Sequence, residues 1–297
     1  MSSAAGTPHR TVTWGARALK NPVVRIVLAL LSIAIPFAVV ATPFNMFISD
    51  ASLKRAGALL LSAIVLGSYW AYVRIVEKRP VTELSRPRMF RELGAGVLLG
   101  AFLFCLTVGV LAMLGVYQVT GSNGWTAMLA TVPGFILSGV LEEVVMRGIV
   151  FRILEQSLGS WIALAISAAI FGMLHLLNPG ATVLNAVAVM VEAGVLLAAA
   201  YMLTRRLWFC IGIHIAWNFT EGGIFSAGVS GGHTKGLLQA KLAGADWLTG
   251  GAFGAEGSVV AVAICAAAGI LLVAKAVRKG NVVEPFWSAK SSVVRPS

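Results

Sequence analysis

The chain has 297 residues, of which 58% are apolar and 12% charged, and its formal net charge is +11. Soluble chains carry roughly 25% charged residues, so this one cannot cover a water-facing surface, and the composition excludes an ordinary soluble domain. The excess Lys and Arg sits between apolar runs without interleaved aromatics, which argues against a nucleic-acid surface and fits loops that flank a bilayer.

A helix that crosses the hydrocarbon needs about 20 predominantly apolar residues. Runs over 23–42, 57–76, 93–116, 126–148, 160–177, 182–203, 207–225 and 257–276 meet that length in chain order. The expected fold is therefore all-α, a polytopic transmembrane helix bundle of about eight spans. The first twenty residues are polar and basic, and the run over 23–42 lacks a small-x-small cleavage site, so it is expected to stay as the first span. An even number of crossings puts both termini on one side. That side holds 19 of the 23 Lys and Arg, and only Lys54, Arg55, Lys235 and Lys241 remain on the other. The positive-inside rule makes the basic side cytoplasmic, in a plasma or inner membrane. The expected organisation is a cytoplasmic tail over 1–22, a bundle over 23–276 with its core at about 126–225, and a second cytoplasmic tail over 277–297. The basic connection near 78–91 reads either as an interfacial helix on anionic lipid or as a plain loop. The Gly-rich connection over 226–256 is expected to be partly without fixed structure, with one amphipathic stretch near 235–242. Cys105, Cys210 and Cys265 all lie in apolar runs without a C-x-x-C pair, so they read as small packed hydrophobes.

Ionisable groups at membrane depth cost about 2.5–3.5 kcal/mol each on insertion scales. Glu142, Glu143 and Glu192 fall at such depth, Glu221 lies near a span end, and His175 and His214 sit in apolar helices. Residues four apart share a helix face. Glu143 and Arg147 are such a pair, in the favourable order of acid before base, so Arg147 is expected to neutralise and orient Glu143. Glu142 then points to another face and is the better candidate for chemistry. Phe171 stands four residues before His175, with Gly172 allowing close approach of another helix. His214 and Asn218 form a stripe able to donate hydrogen bonds to a developing oxyanion. Glu192 is expected to pair with a neighbour such as Asn185 or Arg147. His233 is expected to be solvated in the outer connection, and His9, in the N-terminal tail, to do nothing specific.

Three motifs stand in order: Glu142-Glu143-x-x-x-Arg147, Phe171-x-x-x-His175 and His214-x-x-x-Asn218. Their types and intervals resemble the signature of the CAAX-protease and bacteriocin-processing family of intramembrane proteases, also called the Abi family. The resemblance covers roughly residues 132–219. It implies that Glu142 and His175 activate water, that His214 and Asn218 form the oxyanion hole, and that Glu143, Arg147 and Phe171 support the site. It also implies a membrane-embedded or lipidated protein or peptide as substrate. No cofactor is favoured. Zinc on Glu142, His175 and His214 is the competing arrangement, although the short H-E-x-x-H spacing is absent. Two other functions compete, a non-catalytic membrane scaffold or immunity protein of the same family and a proton-coupled transporter. The expected partners are membrane lipids and the substrate, with no nucleic acid.

Overall fold

The computed structural model describes residues 21–288. The expected N-terminal tail up to residue 20, with His9, and residues 289–297 of the expected C-terminal tail lie outside the described residues. The helices are α1 (Pro22–Phe47), α2 (Ala51–Ile75), α3 (Met89–Met113), α4 (Trp125–Glu143), α5 (Arg152–Leu174), α6 (Val183–Val189), α7 (Leu196–Thr204), α8 (Leu207–Asn218) and α9 (Val259–Arg278). A two-stranded antiparallel sheet pairs β1 (Tyr117–Ser122) with β2 (Leu238–Leu242). Three π-helical segments, Val144–Phe151, Met190–Val195 and Phe219–Ile224, continue α4, α6 and α8 without a break.

Six helical stretches among the described residues are long and apolar enough to cross a membrane. One of them, Trp125–Leu177, runs for 53 residues. At 1.5 Å per residue that is about 80 Å, far more than the ~30 Å hydrocarbon core. It turns at Gly159, whose φ of 78° and ψ of 168° are not helical. A Cβ there would lie 2.8 Å from the Pro285 nitrogen, so glycine serves both the turn and the close approach of the C-terminal segment. With this turn, and with the 18-residue stretch over 207–224, eight rods run between the two ends of the bundle. Their outer faces are apolar: Leu98, Ile270 and Leu177 are 74%, 67% and 84% exposed, as a lipid-facing surface requires.

Ion pairs define one end. The Glu77 carboxylate binds Arg25 at 2.7 Å, Arg79 at 2.8 Å and Arg152 at 3.0 Å, and Arg79 also reaches Glu83 at 2.9 Å. Arg205 meets Glu155 and the Asn281 carbonyl, and Arg206 meets the Pro87 carbonyl. These bonds draw together the start of α1, the loop after α2, the 159 turn, the loop before α8 and the residues after α9. Lys54, Arg55, Lys235 and Lys241 lie at the opposite end, with the sheet. The two described chain ends are therefore on the same side of the bundle.

The expectations need three corrections. The 226–256 connection has fixed structure. β2 pairs with β1, Gly231 donates to the Phe253 carbonyl at 2.6 Å, and Ser230 binds the Glu256 carboxylate, because the turn glycines let backbone bond to backbone. Its amphipathic stretch is a strand. Of the two readings of the connection after α2, the structure has the plain loop: it contains only a three-residue helical turn, Thr82–Leu84, and its Glu83 pairs inward with Arg79 and Arg152. Cys105 is exposed on α3, although Cys210 and Cys265 are buried.

The tightest helix pairing sets α3 against α8. A Cβ on Gly96 would lie 2.3 Å from the Phe209 carbonyl oxygen, and one on Gly100 would lie 2.3 Å from that of Ile213. Small residues four apart let two backbones meet in this way. The contact fixes the height of α8, and with it His214.

Candidate active site

Each of the three π segments abuts a polar residue of the centre. The first follows Glu142-Glu143 and contains Arg147, the second contains Glu192 and Gly194, and the third follows Asn218 and contains Glu221. A π turn widens the helix and resets which residues face inward, and such turns concentrate at functional sites.

Arg147 is 2% exposed and Glu143 is fully buried. The guanidinium donates to Glu143 Oε1 at 2.8 Å, to the Ala193 carbonyl at 2.9 Å and to the Gly194 carbonyl at 3.3 Å. It also lies 4.7 Å from the centre of the Phe171 ring, a cation–π distance. The same Glu143 oxygen bonds His214 Nδ1 at 2.8 Å. Glu143 thus joins the α4 rod to α8, while Arg147 adds the segment before α7 and the α5 ring.

Both imidazoles are oriented through Nδ1. His175 Nδ1 lies 2.8 Å from the Phe171 carbonyl oxygen. A carbonyl only accepts, so Nδ1 carries the proton and Nε2 is left as the ring's second polar atom. His214 gives its Nδ1–H to Glu143, which aims Nε2 at Glu142: Glu142 Oε2 is 3.8 Å away. The Glu142 side chain is 34% exposed. The Asn218 amide donates to Ser138 Oγ at 3.3 Å and has a second N–H left.

Two cavities join these groups. One, with about 20 Å³ open to the centres of water molecules, is lined by His175, His214, Asn218, Trp217, Glu192 and Glu256. That is enough for one water, which needs roughly 10–15 Å³. The other, about 290 Å³, is bounded by Glu142, His175, Asn218 and Ser138 and roofed by residues 229–234. A lateral opening of about 340 Å³ between α4 and α5 also has Glu142 and His175 on its wall. Glu142 and His175 reach one level because the rod carrying Glu142 continues through the π turn to the break at Gly159, so residue 142 is central in it.

Among the described residues, no three His, Cys, Asp or Glu side chains come together as a metal-ligand set. Glu192 is buried and lines the smaller cavity, but it does not pair with Asn185. The Asn185 side chain is taken up by Thr182 and the Gly250 carbonyl. His233 is exposed at the cavity mouth.

The sequence reading missed Ser138, Ser230 and Glu256. Ser138 stands four residues before Glu142, on its helix face, so spacing could have found it. Ser230 and Glu256 come from the connection, which has no periodicity to read. The Glu256 carboxylate accepts from Ser230 N and Oγ, both at 2.7 Å, and holds the roof down.

Residues 123–220, roughly a third of the chain, match the family model Rce1-like, described as type II CAAX prenyl endopeptidase Rce1-like. No curated protein and no solved structure matches the chain. The matched segment contains all three motifs and the helices that carry them, and it agrees with the family that the motifs resemble. Over this segment the chain is similar to the Rce1-like CAAX prenyl endopeptidases, and it is a multi-pass integral membrane protein.

Proposed function

We propose that the protein is an intramembrane endopeptidase that hydrolyses a peptide bond of a membrane-associated or lipidated substrate, with water activated by Glu142 and His175. The observation that carries this reading is the shared cavity. Glu142 and His175 line it together with Asn218, and His214 Nε2 is 3.8 Å from the Glu142 carboxylate. Water between Glu142 and His175 Nε2 attacks the substrate carbonyl carbon. Its proton passes to the Glu142 carboxylate, and the carbonyl oxygen takes the electron pair. Asn218 donates its free N–H to that oxyanion. His214 donates from Nε2 when both of its ring nitrogens carry protons. The tetrahedral intermediate collapses, the C–N bond breaks, and Glu142 returns the proton to the leaving amine. Glu143 and Arg147 are positioning residues, since they hold His214 and touch no reacting atom.

In this reading all eight rods cross the bilayer, the ion-paired end is cytoplasmic, and the membrane is a plasma or inner membrane. The test uses purified protein in lipid vesicles with a peptide library, with and without chelator, beside Glu142→Ala and His175→Ala. The expected result is cleavage that is lost in both variants, which still insert, and that survives chelation. Undiminished cleavage by both variants would overturn the mechanism. A cellular phenotype kept by Glu142→Gln but lost on truncation would favour a scaffold, and proton flux in the vesicles would favour transport.

A further inference from the structure

The end of the bundle at which the catalytic cavity opens has a consequence for the substrate. From Glu142 the cavity extends along α4 past Ser138 to Phe135 and Gly134, toward the β-sheet end. There it meets a largely apolar groove of about 520 Å³, which shares Gly134, Phe135 and Thr234 and carries Lys54, Arg55 and Lys235 along its edge. Among the described residues, no carboxylate forms a salt bridge with these three cations. In the opposite direction the path is closed. Arg147, Phe151, Tyr69, Arg152 and Tyr201 are all buried below the site, and the Glu77–Arg152–Arg79–Glu83 pairs seal the end beneath them.

Charge distribution gives the two ends their sides independently of the cavity. Of the 18 Lys and Arg among the described residues, the sealed end collects thirteen, Arg147 lies in the core, and the open end keeps four. The sealed end is therefore cytoplasmic. We infer that the site is entered from the non-cytoplasmic face, by a peptide that lays an apolar segment in the groove between α2 and α4 and sets a carboxylate against Lys54, Arg55 and Lys235. This rests on the peptidase reading for what happens to that peptide, but not for where it enters. The groove is apolar along its length and cationic only at its rim, so it complements an apolar segment with one negative group. The carboxylate belongs to an acidic side chain or to a free C-terminus.

The test is thiol labelling of the full chain in a Cys105→Ala background, which removes the exposed cysteine. Ser138→Cys, with Asn178→Cys as a second reporter, is compared with Lys241→Cys at the open end and Lys279→Cys at the sealed end. A membrane-impermeant maleimide is applied to intact cells and to permeabilised cells. The cavity reporters are expected to label in intact cells with Lys241→Cys, and Lys279→Cys only after permeabilisation. Labelling of both cavity reporters only after permeabilisation overturns the inference. Three ten-residue apolar peptides then compete for the label: an amide with one Glu, a free acid without Glu, and an amide without Glu. Protection by the first identifies a side-chain carboxylate, and protection by the second a C-terminal one. Either is expected to weaken on the order of tenfold in the Lys54→Gln, Arg55→Gln, Lys235→Gln triple variant. Equal protection by all three peptides overturns the carboxylate assignment. Cleavage that needs Glu142, combined with labelling from the cytoplasm only, would remove this route and leave the peptidase standing.

Discussion

Arg147→Met removes one partner of a buried ion pair while keeping a side chain of similar length. The guanidinium holds Glu143 at 2.8 Å and the Ala193 carbonyl at 2.9 Å, at a position 2% exposed. Breaking a buried pair from one side costs about 3–5 kcal/mol, because the remaining charge stays desolvated. Total stability is about 5–15 kcal/mol, so the loss is a large share of it. With roughly 2–4 °C of Tm per kcal/mol for a chain of this size class, Tm should fall by about 10 °C. Adding Glu143→Leu removes the stranded charge and should recover much of that loss, although His214 then lacks its Nδ1 partner and cleavage stays absent. The assay is thermal unfolding in detergent, followed by exposure of the buried Cys210 and Cys265 thiols. A Tm for Arg147→Met within about 1 °C of the unaltered protein would refute the reasoning, as would a double variant less stable than the single one.

Other outcomes follow from the same geometry. Asn218→Ala removes an oxyanion donor and should lower kcat by about 10²–10³-fold with little change in KM. Ser138→Ala, which only orients that amide, should cost less than about tenfold, and steady-state kinetics separates the two. Gly100→Val drives a side chain into the Ile213 backbone, one residue before His214, and should lower both Tm and activity. Gly109→Val on the same helix meets nothing within 4 Å and should change neither. Burial pushes the Glu77 carboxyl up, but hydrogen bonds from Arg152, Arg25 and Arg79 outweigh it and hold the group at about 2 against an ordinary 4.5. Its contribution to stability is therefore complete above about pH 4.5 and is lost as pH falls toward 2. Tm measured across that window should decline, and Glu77→Gln should flatten the decline.

The helices and the three motifs were legible because lipid imposes long apolar runs, and a charged residue inside such a run stands out. Glu143–Arg147 was readable from spacing alone, since the pair is local. His214 bonding to Glu143 was not, because 71 residues separate them and only packing of α8 on α3 and α4 sets their distance. Nor did periodicity announce the π turns, which keep an apolar pattern while shifting which residues face inward. The roof was misread because glycines that look like flexible linker serve tight backbone bonds, as Gly231 does. The free rotamers of Glu192 left its partner open, and the structure gave Asn185 to Thr182 instead.

Residues just beyond α9 fasten the near ends of helices made long before them. Val283 exchanges two hydrogen bonds with Ser160, at 2.9 and 2.8 Å, beside the Gly159 turn. The Asn281 amide caps the carbonyls of Met202 and Leu203 at 3.1 and 3.0 Å. During synthesis the rods bearing His175 and Glu192 are made early, yet these ends wait for a latch translated some eighty to a hundred and twenty residues later. These hydrogen bonds can form only once residues 281–283 have been made, so the fastening of both helix ends follows the synthesis of the helices themselves.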